Sequence, residues 1–211
     1  MADYLEIEQK FDVDEDFERP DFGALRDVLR EDVTAGAPVL YRLSATYFDT
    51  PDERLAASKI TLRRRTGGTD EGWHLKLPAG QDARREVREP LSAGPADAAR
   101  GVPERLAARV AGVTGGLPIV PIAVLDTERT VVTLTGQDGR VVAEIADDVV
   151  TARRVAGSAG AAAGQPLHWR EIEIEVPTAS PPLQQAAADL LRAAGARPAG
   201  HGSKLARLLN R

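Results

Sequence analysis

The sequence contains no cysteine. This excludes disulfides, thiolate metal sites and thiol nucleophiles, and it fits a reducing compartment such as the cytoplasm. Aromatic residues are scarce, with four Phe, three Tyr and two Trp in 211 residues, and no base-stacking set stands out. No apolar run approaches the roughly 20 residues that a membrane helix needs, and the charged N-terminus lacks the basic-then-apolar order of a signal peptide. A cytoplasmic protein without membrane contact is expected. A basic excess is missing as well: the net charge is −5, whereas nucleic-acid binders usually carry surplus cations against phosphates. No nucleic-acid partner is expected, and an anionic ligand has to be met by cations concentrated locally.

What is present is a 43% hydrophobic content, enough for a globular core, and a succession of strand patterns. These fall at 4–12, 39–49, 59–66, 72–77, 85–91, 120–134, 140–150 and 167–176. Helical periodicity is rarer, at 21–31, 103–111, 183–194 and from about 203. Short Gly-containing turns such as TGGTDEG at 66–72 and GQDG at 136–139 favour antiparallel pairing over βαβ units. The pattern predicts an α+β fold, an eight-stranded antiparallel closed β-barrel with several flanking helices. The Ala/Gly/Pro-rich stretch 92–118 reads as a helical connection across a single domain spanning 1–211, since neither half has the apolar faces for its own core. The small-residue stretch 156–166 predicts a mobile loop.

Side chains alternate across a strand, so residues i and i+2 share a face. The opening LEIEQKF sets Glu6, Glu8 and Lys10 on one side and Leu5, Ile7 and Phe11 on the other. One charged stripe of this kind is ordinarily a solvated face. The same rule groups Lys59, Thr61, Arg63 and Arg65; His74 with Lys76, opposite Trp73, Leu75 and Leu77; Arg84, Glu86 and Arg88; Thr127 and Arg129; and Glu144 and Asp148. On the last strand Glu171, Glu173 and Glu175 align, backed by Ile172, Ile174 and Val176. Three such glutamates repel one another unless cations or metals sit among them. Mixed-sign stripes recurring opposite apolar faces predict that the apolar faces pack outward against helices and that the charged faces line a polar lumen. There, carboxylates offer oxygen ligands to a divalent metal, while Arg and Lys bind an anion of several charges. Trp73 and Trp169 are expected on apolar, packing faces, and His74 as a structural hydrogen-bonder that reaches the lumen face.

In their order, these stretches resemble the CYTH superfamily, the triphosphate tunnel metalloenzymes. EIEQK at 6–10 is similar to the family's ExExK opening. YFDT at 47–50, TLRRR at 61–65, HLKLP at 74–78, RREVREPL at 84–91, VAEIADDVV at 142–150, REIEIEV at 170–176 and GSKLARL at 202–208 look like its successive blocks. The resemblance covers nearly the whole chain and implies an eight-stranded tunnel binding triphosphate-containing substrates with Mg²⁺ or Mn²⁺. It implies metal ligands at Glu6, Glu8, Glu86, Glu144, Asp148, Glu171 and Glu173, of which Glu6, Glu8, Glu171 and Glu173 serve catalysis. Phosphate contacts are implied at Lys10, Arg63, Arg65, Lys76, Arg129 and Lys204. A ladder of three glutamates offers two pairs, so the role of Glu175 stays open. Two positions depart from the family pattern: Arg88, where an acid is often found, and Thr127, where many members have lysine.

The expected chemistry is metal-dependent hydrolysis of a triphosphate, inorganic triphosphate first, with one metal bridging phosphate oxygens and a second activating water. Alternatives are an adenylate cyclase, a thiamine triphosphatase and a non-catalytic polyphosphate-binding module. Family domains of this kind often precede a helical CHAD domain, and the chain is compatible with being the N-terminal part of such a longer protein.

Overall fold

The computed structural model describes residues 2–26, 33–80, 83–91, 101–155, 165–176 and 180–210, with backbone alone for 2–7 and 83. One sheet holds β1 (Ala2–Val13), β2 (Thr34–Ala35), β3 (Val39–Asp49), β4 (Thr61–Thr66), β5 (Gly72–Pro78), β6 (Ala83–Glu89), β7 (Val120–Thr135), β8 (Val141–Arg154), β9 (Leu167–Val176) and β10 (Arg197–Pro198). The order is β10-β1-β6-β5-β4-β3-β7-β8-β9, with β2 on β7. Every ladder is antiparallel, as the short turns predicted. β1 is shared: Ala2 to Ile7 pair with β6, and Ile7 to Val13 pair with β9.

Among the described residues four α-helices are bounded: α1 (Arg54–Ala57), α2 (Glu104–Thr114), α3 (Pro181–Ala193) and α4 (Lys204–Leu209). Sequence periodicity anticipated the last three. It missed α1, whose four residues are too short to show a period. The helix expected over 21–31 begins as a 3₁₀ turn at Phe22–Ala24, and its later part lies outside the described residues, as does nearly all of the expected loop at 156–166. The strand expected from 59 starts at Thr61 because Lys59 takes a left-handed conformation, φ 59°, that leaves the β region.

Two of the three apolar clusters lie on the sheet's outer face, in the arrangement the alternation predicted. Phe11, Ile145, Ile172, Ile174 and Val176 pack under Leu183, Ala187 and Leu191 of α3, which recur at i, i+4 and i+8. On the opposite flank Leu62, Trp73, Leu75 and Val87 pack under Leu106 and Val110 of α2, and the Phe48 and Trp73 ring centroids are 5.0 Å apart. A third cluster lies on the inner face, where Leu125, Val150 and Trp169 share the parity of Arg129, Asp148 and Glu171, and it packs against Leu205, Leu208 and Leu209 of α4 at one end of the sheet. No helix among the described residues is long and apolar enough to cross a membrane.

The YFDT stretch has a structural explanation. Asp49 is fully buried, and its carboxylate accepts the backbone N–H groups of Thr50 (2.7 Å), Leu55 (2.8 Å) and Ala56 (2.9 Å), so it holds the turn into α1. Losing the carboxylate strands three amides, two of them in buried bonds. Asp49→Ala is therefore expected to lower unfolding stability by about 2 kcal/mol or more. Urea denaturation against the wild type checks this, with Asp138→Ala, in an exposed turn, staying within about 0.5 kcal/mol.

Candidate functional site

The sheet's inner face surrounds a cavity of about 230 Å³. β4 to β6 supply its cations: Arg63 and Arg65 from β4, Lys76 from β5, and Arg84 and Arg88 beside Glu86 from β6. β1 gives Glu8 and Lys10, β7 gives Arg129, and α4 gives Lys204. The period-2 rule places the strand residues of this set on one face, and the strand pairing brings them together; Lys204 comes from the helix. β3 differs, offering Val39, Tyr41, Leu43 and Tyr47 and no charge.

Strand register arranges the acids in rows. Glu8 lies opposite Glu175, and Glu175 opposite Glu144, so three carboxylates stand side by side across β1, β9 and β8, all lining the cavity. Such neighbours repel unless a cation sits among them. One row further, Lys10 faces Glu173; a row beyond that, Glu171 faces Asp148, which faces Arg129. Glu6 keeps register with Arg84, and its side chain lies outside the described residues.

The inner acids are already engaged. Donor oxygens of Asp148, Glu171 and Glu173, all buried, lie within 4.8 Å of one another. The Lys204 ammonium sits among them, 2.8 Å from Asp148 Oδ2, 2.8 Å from Glu171 Oε1 and 2.7 Å from Glu173 Oε1. Arg129 forks onto Asp148 with bonds of 2.8 and 2.6 Å and reaches Glu173 Oε2 at 2.6 Å. Lys10 bridges Glu8, at 3.0 Å, and Glu173. Burial alone would raise the Glu173 carboxyl, yet Lys10, Lys204 and Arg129 hold it well below the usual carboxylate range. The same pairs lift Lys204 and Lys10 against the lowering effect of burial.

Several residues sit elsewhere than the sequence suggested. Trp169 shares the face of the glutamates, because it precedes Glu171 by two, and its indole N–H donates to Glu171 Oε2 at 2.6 Å. The expected apolar strand face is therefore corrected, although the ring still packs against α4, with Arg207 4.9 Å above it. Glu86 stands among cations and away from the acid rows: it takes His74 Nδ1 at 2.8 Å and Arg88 Nε at 2.5 Å. Arg88, the departure from the family pattern, thus neutralises the acid next to it. His74 is the hydrogen-bonder expected, its Nε2 meeting the Asp70 carbonyl at 2.9 Å.

The cations are served unevenly. Arg63 has the Tyr47 hydroxyl at 3.3 Å as its one hydrogen-bond partner among the described residues, and its enclosed Nε has none. Burial, then the guanidiniums of Arg63 and Arg129, push Arg65 well below its ordinary value. An enclosed guanidinium whose hydrogen bonds and ion pairs among the described residues include no carboxylate describes a place for an anion. The sequence did not single out Asp70 or Tyr41, which come from a turn and from a strand without a charged stripe.

The sequence model described as CYTH domain matches residues 5–208. Uncharacterised proteins from two strains of Mycobacterium tuberculosis are 45% identical over 216 aligned positions, covering 99% of this chain and 40% of theirs. The chain thus spans about 40% of the length of these curated relatives. Among solved structures, a putative adenylate cyclase from Bacillus halodurans superposes with a TM-score of 0.65 at 19% identity, covering 98% of both chains. A Pyrococcus horikoshii protein gives 0.52 at 15% identity, covering 97% of this chain and 98% of its own. At such identities the likeness concerns the fold.

One pH response follows from the inner cluster. The Glu171 carboxyl, raised by burial but pulled down by Lys204 and His201, settles at about 2, below its ordinary 4.5. A depressed carboxyl contributes stability that is complete above about 4.5 and lost as pH falls toward 2. Urea midpoints measured in metal-free buffer from pH 6 down to 3 should fall steeply for the wild type. Glu171→Gln, which cannot titrate, should start lower and fall less.

Proposed function

The chain belongs to the CYTH domain family, and on that premise we propose that its sheet closes into a tunnel in which a triphosphate is bound and hydrolysed with a divalent metal. The observation that carries this reading is the half-buried Arg63, whose Nε has no partner, facing a cavity also lined by Lys10, Arg65, Lys76, Arg129 and Lys204. A triphosphate carries about four negative charges, and a group of fixed guanidiniums and ammoniums offsets both phosphate repulsion and desolvation.

The donor chemistry fits a hard cation such as Mg²⁺ or Mn²⁺. Glu8, Glu144 and Glu175 stand in one row with Glu173 a row deeper, and all offer carboxylate oxygen. Glu6 belongs to the proposed ligands by its place in the opening motif. We assign Glu175 to this outer set because the strand register places it between Glu8 and Glu144 in one row. When bound, the metal supplies Lewis-acid charge neutralisation at the phosphate oxygens. The chain's own residues do the rest. Arg63, Arg65 and Lys76 orient the phosphate chain, while Arg129 and Lys204 fix the inner carboxylates and Lys204 favours the ionised form of Glu171 and Glu173. No side-chain nucleophile is required, and water is the acceptor.

Inorganic triphosphate is the substrate we put first. A second reading, an organic triphosphate such as a nucleoside or thiamine ester, is favoured by the uncharged wall of Val39, Tyr41 and Leu43, extended by Val131 of β7. Incubation with tripolyphosphate, ATP and thiamine triphosphate in Mg²⁺ or Mn²⁺, followed by assay of orthophosphate, pyrophosphate and cyclic AMP, separates the two readings and the cyclase. Orthophosphate release from tripolyphosphate is expected. Glu8→Gln is expected to abolish turnover, and Arg63→Ala to lower kcat/KM by about a hundredfold, both with an unchanged fold by circular dichroism. Binding without any product would reject the hydrolase and leave a phosphate-binding module.

A further inference from the structure

The two arginines of β4 that face the cavity are treated differently by their surroundings. Arg63 has no carboxylate among its hydrogen bonds and ion pairs in the described structure. Arg65, two residues on, is paired with the carboxylate of Asp70. Asp70 lies on no strand. The β4–β5 turn carries it over the cavity, which Gly68, Thr69 and Asp70 line.

The turn is built to hold that position. Gly67 and Gly68 have φ of 80° and 81°, and a Cβ on Gly67 would collide with the Arg42 carbonyl oxygen, so the chain can cross there only as glycine. Gly67 N–H donates to Glu71 Oε1 at 2.5 Å, which closes the turn on itself. His74 Nε2 binds the Asp70 carbonyl at 2.9 Å while its Nδ1 binds Glu86 at 2.8 Å, so the turn is anchored to the cavity wall. The Arg65 side chain is 7% exposed and that of Asp70 25%: the cation is deep and the carboxylate reaches it from the solvent side.

A carboxylate on a guanidinium presents the oxygens and the charge that a phosphate presents. We infer that Asp70 is an internal stand-in for phosphate: it occupies Arg65 in the ligand-free cavity, and an incoming phosphate group takes its place and releases the 66–72 turn. This rests on the triphosphate reading of the same cavity and adds what that reading lacks, a residue that weakens phosphate binding and so favours release of product. The ligand must break one charge-assisted pair to reach Arg65, and removing that competitor tightens binding. Asp70 acts through Arg65 and is a positioning residue, not a catalytic one.

The test is titration calorimetry of the full chain with tripolyphosphate, and with orthophosphate as a product. Asp70→Asn and Asp70→Ser should each tighten both ligands, tripolyphosphate by about tenfold. Glu71→Gln, which removes a charge from the same turn but keeps an acceptor for the Gly67 N–H and touches no cavity cation, should leave affinity unchanged. Hydrogen exchange at 66–72 should rise when tripolyphosphate is added to the wild type. A structural role alone would lower the melting temperature of the Asp70 variants without tightening any ligand, and that result would overturn the inference. Wild-type protein that binds no triphosphate would sink the function proposed above along with it, whereas wild-type binding that the Asp70 variants fail to tighten would sink this inference alone.

Discussion

An ammonium ringed by three carboxylates is the interaction on which the arrangement depends. Lys204 contacts Asp148, Glu171 and Glu173 within 2.8 Å, and each of the four residues is less than a tenth exposed. Burying so many charges is expensive unless every one is paired, and removing one partner leaves the others uncompensated. The cluster therefore fixes more than itself. It ties α4 to β8 and β9, and Arg207 of the same helix adds bonds to Asp12 and a stacking contact on Trp169. The final helix is thereby docked by ions at one end and by Leu205, Leu208 and Leu209 along its length.

From that anchor the cavity divides into regions of different character. Next to Lys204 the acids and cations neutralise each other. Outward along β1, β8 and β9, Glu8, Glu144 and Glu175 crowd together, and on β4 Arg63 faces the cavity with a phenol for company. A row rich in carboxylate and a guanidinium without a carboxylate among its hydrogen bonds and ion pairs thus line one small space.

Much of this was legible because alternation is a strong constraint. Once REIEIEV is a strand, Glu171, Glu173 and Glu175 must share a side, and the isoleucines must share the other. The outward core and the inward charges of β1, β4, β5, β6 and β8 follow from the same rule. What it does not provide is register between strands. Nothing local shows that Glu175 faces Glu8 and Glu144 while Glu171 faces Asp148, since β1 and β9 lie near opposite ends of the chain and the β8–β9 register is set across the connection from Arg154 to Leu167. Nor does parity describe turns, so Asp70 was silent, and α1 was too short for periodicity. Trp169 was misplaced by weighing its apolar bulk above its position in the ladder.

The location of the packed hydrocarbon has a wider consequence. Because Leu62, Leu75, Ile172 and Ile174 are fully enclosed behind the sheet, the side chains of the hollow that lie outside the Lys204 cluster bear little weight in holding the β-framework together. Residues such as Val39, Thr133 or Arg88 can be exchanged through descent without unpacking anything. A lineage built this way can change its diet by relettering one surface while its skeleton stays put.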